Sequence, residues 1–269
     1  MKHRPSLACV YAAALLALFA VVGCSGPTED SHIDPKPGRG GGAGEPGDRA
    51  GGSVPSGPLG SVSGRVTFSG TVPPARTIRM TADPFCAGQH EGGAKQSPVR
   101  AGTDGGLAEV VVHVKSGLGG SPFAVLETPV VLDQRHCLYS PRVLAVQAGQ
   151  PLEIRNSDNT LHNVHAVPER ARGFNIGMPG AGRSAVRKFN EPEVFVRIKC
   201  DVHPWMAAHV AVVDHPYFAV TGDDGRFELE GLPTGEYTVE AVHPSLGASS
   251  ETVTVSGDAD SEIAFAFSR

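Results

Sequence analysis

The chain has no surplus of positive charge. It carries 23 Lys and Arg against 28 Asp and Glu, a formal charge of −5 at pH 7. That balance argues against a nucleic-acid partner, which requires a basic face. Beyond residue 22 there is no apolar run long enough to cross a bilayer, and no long segment repeats with helical period. No glycine loop of the P-loop or dinucleotide type is present, and nothing resembles a nucleophile elbow. Nucleotide chemistry and serine-hydrolase chemistry are therefore not expected, and neither is a small-molecule substrate.

What is present begins with a targeting segment. Lys2 and Arg4 precede an apolar run from Leu7 to Val22, which suits a secretory signal over residues 1–23. The run ends Val21-Val22-Gly23-Cys24, which resembles the lipobox of bacterial lipoproteins. That resemblance implies cleavage before Cys24 and lipidation of its sulfur, and Ser25 would suit outer-membrane sorting. The alternative is an ordinary secretion signal with a chance cysteine. Loss of the two positive charges at Lys2 and Arg4 takes the mature chain from −5 to −7. Residues 24–58 are rich in Gly and Pro and poor in large apolar side chains, too poor to offset chain entropy by burial. They read as a flexible tether with an end-to-end distance of about 30 Å. The expected location is extracytoplasmic, on a membrane or cell surface, through the lipid on Cys24.

From residue 60 the pattern is β. Gly64–Phe68 and Glu109–Val114 are short runs rich in β-branched residues, with glycine nearby to break them. Further strands are expected at 130–132, 142–147, 152–155, 194–199 and 209–213. Many short strands separated by turn signals indicate a sandwich or barrel, so the fold class is all-β. Alternation places Val194, Val196, Ile198 and Cys200 on one strand face, so that Cys200 arrives buried at a strand end. Later, Asp224-Gly225 and Thr234-Gly235 read as turns, with Phe227, Leu229, Tyr237, Val239 and Ala241 facing inward. This part resembles the carboxypeptidase regulatory-like (transthyretin-like) β-sandwich. Val62–Phe68 resembles that family's first strand, so the two ends are expected to complete one sandwich around an inserted domain. The expected divisions are an N-terminal β region at 59–128, a metal-binding domain at 129–213 and the regulatory-like portion at 214–269.

Two motifs carry the chemistry. One is Leu161-His162-Asn163-Val164-His165. The other is Cys200-Asp201-Val202-His203-Pro204-Trp205-Met206. One thiolate, two imidazoles and one thioether are the donors of a trigonal copper site with a weak axial methionine. On these motifs residues 129–213 resemble the cupredoxin family, closest to its amicyanin/plastocyanin group. The implied fold is a Greek-key sandwich holding one type 1 copper ion. The implied ligands are His162, Cys200, His203 and Met206, with Asn156 and Asp201 supporting them. Asn156 is expected to tie the two ligand segments together beside Cys200. His162 and His165 lie three apart on a strand and face opposite ways, which leaves His165 as an alternative ligand only if the backbone bends. His203 is expected near the surface. Trp205 is read either as a docking surface beside it or as a core plug. His209, on the following strand, is not expected to bind metal.

The remaining cysteines follow by elimination. Cys9 leaves with the signal, Cys24 takes lipid and Cys200 takes metal. Cys86 and Cys137 are then an even pair in an oxidising compartment and read as a disulfide. The alternative is a second metal site with His90 and His136. The expected function is electron transfer between extracytoplasmic redox proteins, with no enzymatic activity. The rivals are a copper-binding or delivery protein or a small copper enzyme, with His165 or an open position changing the site, and a surface interaction module with an incidental metal site.

Overall fold

In the computed structural model the described residues are 57–120, 122–257 and 260–269. The expected signal, the expected lipidation site Cys24 and nearly all of the expected tether lie outside them. The first described strand is β1 (Leu59–Ser69). A strap follows, containing β2 (Arg76–Thr77), the single helical turn α1 (Pro84–Gly88) and β3 (Lys95–Gln96). The chain then re-enters a sheet as β4 (Val111–Ser116). Nine strands come next: β5 (Val130–Arg135), β6 (Leu138–Ser140), β7 (Val143–Gln147), β8 (Leu152–Asn156), β9 (His162–Val167), β10 (Phe174–Met178), β11 (Arg183–Arg187), β12 (Glu193–Lys199) and β13 (Ala207–Val213). The last strands are β14 (Phe218–Val220), β15 (Arg226–Pro233), β16 (Gly235–His243), β17 (Gly247–Val255) and β18 (Ser261–Ser268). Among the described residues no helix is long and apolar enough to cross a membrane.

The strands form two sandwiches, and the fold class is all-β. In the first, the sheet β10-β9-β12-β13-β7 faces the sheet β11-β8-β5-β6. Its core interleaves Leu132, Leu152 and Ile154 with Val164, Val196, Ile198 and Val210. In the second, β14-β4-β16-β17 faces β15-β1-β18. There Phe227, Leu229, Tyr237, Val239 and Ala241 are all buried, with Val62, Val66 and Phe265. β1 pairs antiparallel with β15 and in parallel with β18. The two ends of the described chain thus close one sandwich, and the nine-strand sandwich is inserted between β4 and β14. Val111 of β4 packs with Val143, Ala145 and Ala211 to join the two.

Gly64 is required by that closure. A Cβ there would overlap the Ile263 carbonyl oxygen and the Phe227 ring, because β18 and the β15 side chains approach β1 closely. One expectation about β12 is corrected. Val196, Ile198 and Cys200 do share the buried face, but Val194 is exposed. The pairing of β12 with β13 shifts register between Glu193 and Val196, which takes Val194 out of the row.

The strap is not part of either sheet pair. Met80, Cys86 and Ala94 pack with Cys137, and Trp205 lies against this small core. A disulfide joins Cys86 to Cys137. His90 and His136 form no metal cluster with that pair; His90 Nε2 instead lies 2.7 Å from the His136 carbonyl oxygen.

Candidate metal centre

The centre lies where β12 ends and β9 begins. The alternation of β12 delivers Cys200 buried, 2% exposed, at the strand end. The loop after it folds back on itself. The Cys200 amide donates to the Met206 carbonyl at 3.2 Å and the Met206 amide donates to the His203 carbonyl at 2.9 Å. The His203 amide also donates to the Cys200 sulfur at 3.3 Å. Met206 is buried in the same core cluster as Cys200.

Three donors converge. One nitrogen of His162, one of His203 and the Cys200 Sγ all lie within 4.8 Å of one another. The two Nδ1 atoms face each other at 2.9 Å, and the His203 Nδ1 is 3.9 Å from the sulfur. Each imidazole is fixed from behind by a carboxylate. His162 Nε2 donates to Asp158 Oδ2 at 2.9 Å, and His203 Nε2 donates to Asp83 Oδ2 at 3.0 Å. A carboxylate oxygen accepts only, so each Nε2 carries its hydrogen. Both Nδ1 lone pairs are then turned toward one point beside a thiol. Facing lone pairs repel unless a proton or a metal ion sits between them, so the donor set fits a metal ion.

The electrostatics agree with that geometry. Burial drives the His162 pKa down, but Asp158 and Cys200 outweigh it and raise it to about 9. Burial drives the Cys200 thiol up, but hydrogen bonds from His162 and from neighbouring backbone amides hold it below its ordinary value. Both shifts run against burial, in the direction that pairing of the His162 imidazole with the Cys200 sulfur produces. Burial also pushes Asp158 up, but His162 and the amides of Cys137 and His136 hold its carboxyl low.

Asp158 has a second task. Its oxygens accept the amides of His136 and Cys137, each at 2.7 Å. Those two residues hold left-handed backbones, with φ of 53° and 56°. Such conformations are unfavourable for non-glycine residues and persist only when held. One buried carboxylate thus links His162 to the turn that carries the disulfide.

Several sequence expectations are corrected here. His203 is not near the surface. It is 2% exposed, because Asp83 and α1 cover it and the Cys86 sulfur lies 3.7 Å from its Nε2. Of the two readings of Trp205, the core plug is the one the structure favours, since it is half-buried against two core clusters. Its indole N–H donates to the Cys137 carbonyl at 3.0 Å, and its ring centroid lies 5.0 Å from that of His203. Asn156 does not tie the ligand segments beside Cys200. Its side-chain amide donates to the carbonyls of Thr160 and Met178, and its oxygen accepts the Asp158 amide, so it shapes the turn before β9. Asn163 makes the tie instead. Its Oδ1 lies 3.2 Å from the Cys200 sulfur and accepts the Asp201 amide at 2.7 Å.

His165 is turned away from the centre, and its Nδ1 lies 2.9 Å from Asp201 Oδ2. Asp201 also takes Lys199, Asn163 and Asn175, and these contacts, Lys199 first, hold its carboxyl far below the ordinary range. His209 stands on β13 outside the donor cluster. Asp83, Asp158 and Asn163 were missed by sequence reasoning. Asp158 stands four residues before His162 and Asn163 directly follows it, which is a usable signal. Asp83 is 120 residues from its histidine and has none.

Comparison with known proteins adds the following. A family model described as a carboxypeptidase regulatory-like domain matches residues 196–268. The match begins inside β12 and includes the ligand loop, so it extends beyond the second sandwich. No curated protein matches the chain. Among solved structures, an oxidised variant of amicyanin is 24% identical, over 38% of this chain and 97% of its own, with a TM-score of 0.29. A purple cupredoxin from Nitrosopumilus maritimus is 22% identical over 30% of this chain and 97% of its own, with a TM-score of 0.27. A copper-containing nitrite reductase from Thermus scotoductus SA-01 is 24% identical over 34% of this chain, with a TM-score of 0.30. The matched part spans 25% of that reductase chain. The expectation of no enzymatic activity is withdrawn. The nitrite reductase is an enzyme, so likeness to domains of this kind does not separate carriers from enzymes.

Proposed function

We propose that this protein binds one copper ion at His162, Cys200, His203 and Met206 and passes single electrons between extracytoplasmic redox proteins. The observation that carries the reading is the pair of Nδ1 atoms facing each other beside the Cys200 sulfur, each imidazole backed by a carboxylate. Thiolate with thioether favours copper over harder ions, and imidazole suits it as well. When bound, copper supplies a one-electron couple between its cuprous and cupric states.

The chain's own residues hold the site ready. Asp158 and Asp83 fix both imidazole tautomers, as carboxylates behind metal-bound histidines commonly do. Asn163 fixes the first turn of the ligand loop. The core around Cys200 and Met206 excludes water, so the ligands move little between oxidation states. Leu161 and Val202, the chain neighbours of His162 and His203, are exposed apolar residues and offer a face for a redox partner. A lipid on Cys24 and the Gly/Pro-rich tether would hold this body off a membrane and let it reach such partners.

The test is the visible and EPR spectrum of the full-length chain reconstituted with Cu(II). Intense visible absorption with a narrow copper hyperfine pattern is expected, and both should vanish in Cys200→Ala. A weakly coloured, tetragonal centre would sink the electron-transfer reading and support copper delivery.

A further inference from the structure

All four proposed donors are buried, none more than 2% exposed. An ion can reach or leave them only when part of the protein moves aside. The strands around the donors are held in ladders and do not move singly. The ligand loop is tied to itself and to Asn163. The strap is different. β2 and β3 pair only with each other, outside both sandwiches. Within α1 only Cys86 is buried, and the strap packs through the small core of Met80, Cys86 and Ala94 against Cys137. A segment with so few buried contacts opens locally at low cost.

That same strap covers the metal position. Asp83, which caps α1, meets His203 Nε2 at 3.0 Å, and the Cys86 sulfur lies 3.7 Å from the same nitrogen. Asp83 also takes the Thr160 hydroxyl at 3.4 Å, and His90 reaches the His136 carbonyl. The disulfide adds a covalent bond to these polar contacts, and with it a ring closes. His162 donates to Asp158, which accepts the Cys137 amide. Cys137 is bonded to Cys86, whose amide donates to Asp83 at 3.1 Å, and Asp83 holds His203. One disulfide therefore joins the groups that stand behind both histidines.

We propose that the strap is a lid over the metal position and that the Cys86–Cys137 disulfide is its lock, so that bound copper is retained until the strap lifts. The proposal rests on the reading of His162, Cys200, His203 and Met206 as copper ligands. It adds a control on metal exchange, exerted by residues that are not themselves donors.

The experiment uses the full-length chain in two states. Loaded with Cu(II), it is exposed to excess EDTA, and copper loss is followed by visible absorption. Free of metal, it is treated with diethyl pyrocarbonate, and reaction at His203 is read by peptide mass spectrometry. Slow loss and a protected His203 are expected in the parent. Replacing both Cys86 and Cys137 with alanine opens a loop spanning a sequence separation of 51, and should speed both reactions about tenfold or more. Phe85→Ala keeps the disulfide but loosens α1 from the strap core. It should speed both by a smaller factor, and it decides the question if the double replacement does not fold. Leu229→Ala, in the core of the other sandwich, controls for general destabilisation and should leave both rates parental. Parental rates in the strap variants would overturn the proposal, and so would equal acceleration in Leu229→Ala. A chain that binds no copper would refute the ligand reading instead, and the His203 reaction would still decide whether the strap is a locked lid.

Discussion

Replacing Asp158 with asparagine tests the logic of the centre most directly. The carboxylate is 3% exposed and serves three donors: His162 Nε2, the His136 amide and the Cys137 amide. Asparagine keeps the shape but has one accepting oxygen in place of two. If its oxygen stays toward Cys137 and His162, its NH2 group faces the His136 amide and one buried donor loses its acceptor. That costs about 1–3 kcal/mol. If the amide turns the other way, its NH2 group faces His162 and drives the ring to the opposite tautomer. The hydrogen then sits on Nδ1, between His162 and the metal position. Loss of such a supporting carboxylate lowers metal affinity by about 10- to 100-fold. At about 1.4 kcal/mol per factor of ten, that is about 1.4–2.8 kcal/mol, the same size as the stability cost. One interaction therefore feeds both quantities. Copper affinity is to be measured by competition with a chelator, and stability by thermal melting of the metal-free chain. Asp133→Asn is the control, since that exposed carboxylate accepts from the Ser157 hydroxyl and lies outside the donor cluster. Parental copper affinity in Asp158→Asn, beside a normal control, would refute the tautomer argument.

Further predictions concern the axial position, the strap and acid stability. Met206→Leu conserves volume at a buried site and should cost less than about 1.5 kcal/mol. It should nonetheless move the copper reduction potential, measured by voltammetry, and an unchanged potential would show that the thioether does not reach the metal. Replacing both Cys86 and Cys137 with alanine opens a loop spanning a sequence separation of 51. On chain entropy this should cost about 4 kcal/mol. It should also expose the strap to limited proteolysis, and a melting temperature equal to the parent's would contradict the reasoning. His243 is held neutral, its pKa pulled down to about 4 by burial, with Arg142 and His209 adding and Glu109 opposing. In the unfolded chain the same group titrates near about 6.5, so unfolding takes up a proton between those values. Stability is full above about pH 6.5 and falls toward pH 4, by about 3 kcal/mol in total. Urea titrations across that range should show a shallower slope in His243→Gln.

The sequence by itself determined the local features. Alternation fixed the buried arrival of Cys200 and the inward row Phe227, Leu229, Tyr237, Val239 and Ala241, because side-chain direction on a strand repeats every two residues. The same parity separated His162 from His165. The donor types, and hence the preference for a soft metal, were also legible, since ligand chemistry is written in residue identity. What only the tertiary structure decided was who stands behind the donors. Asp83 reaches His203 across 120 residues, and no local pattern records such a meeting. The strap that carries it, stitched by Cys86 to Cys137, turns an expected surface histidine into a buried one. Asn163, rather than Asn156, came to rest beside Cys200 because the pairing of β9 with β12 sets which side chain faces the loop. Strand period is a property of the chain, whereas these contacts depend on how whole sheets pack.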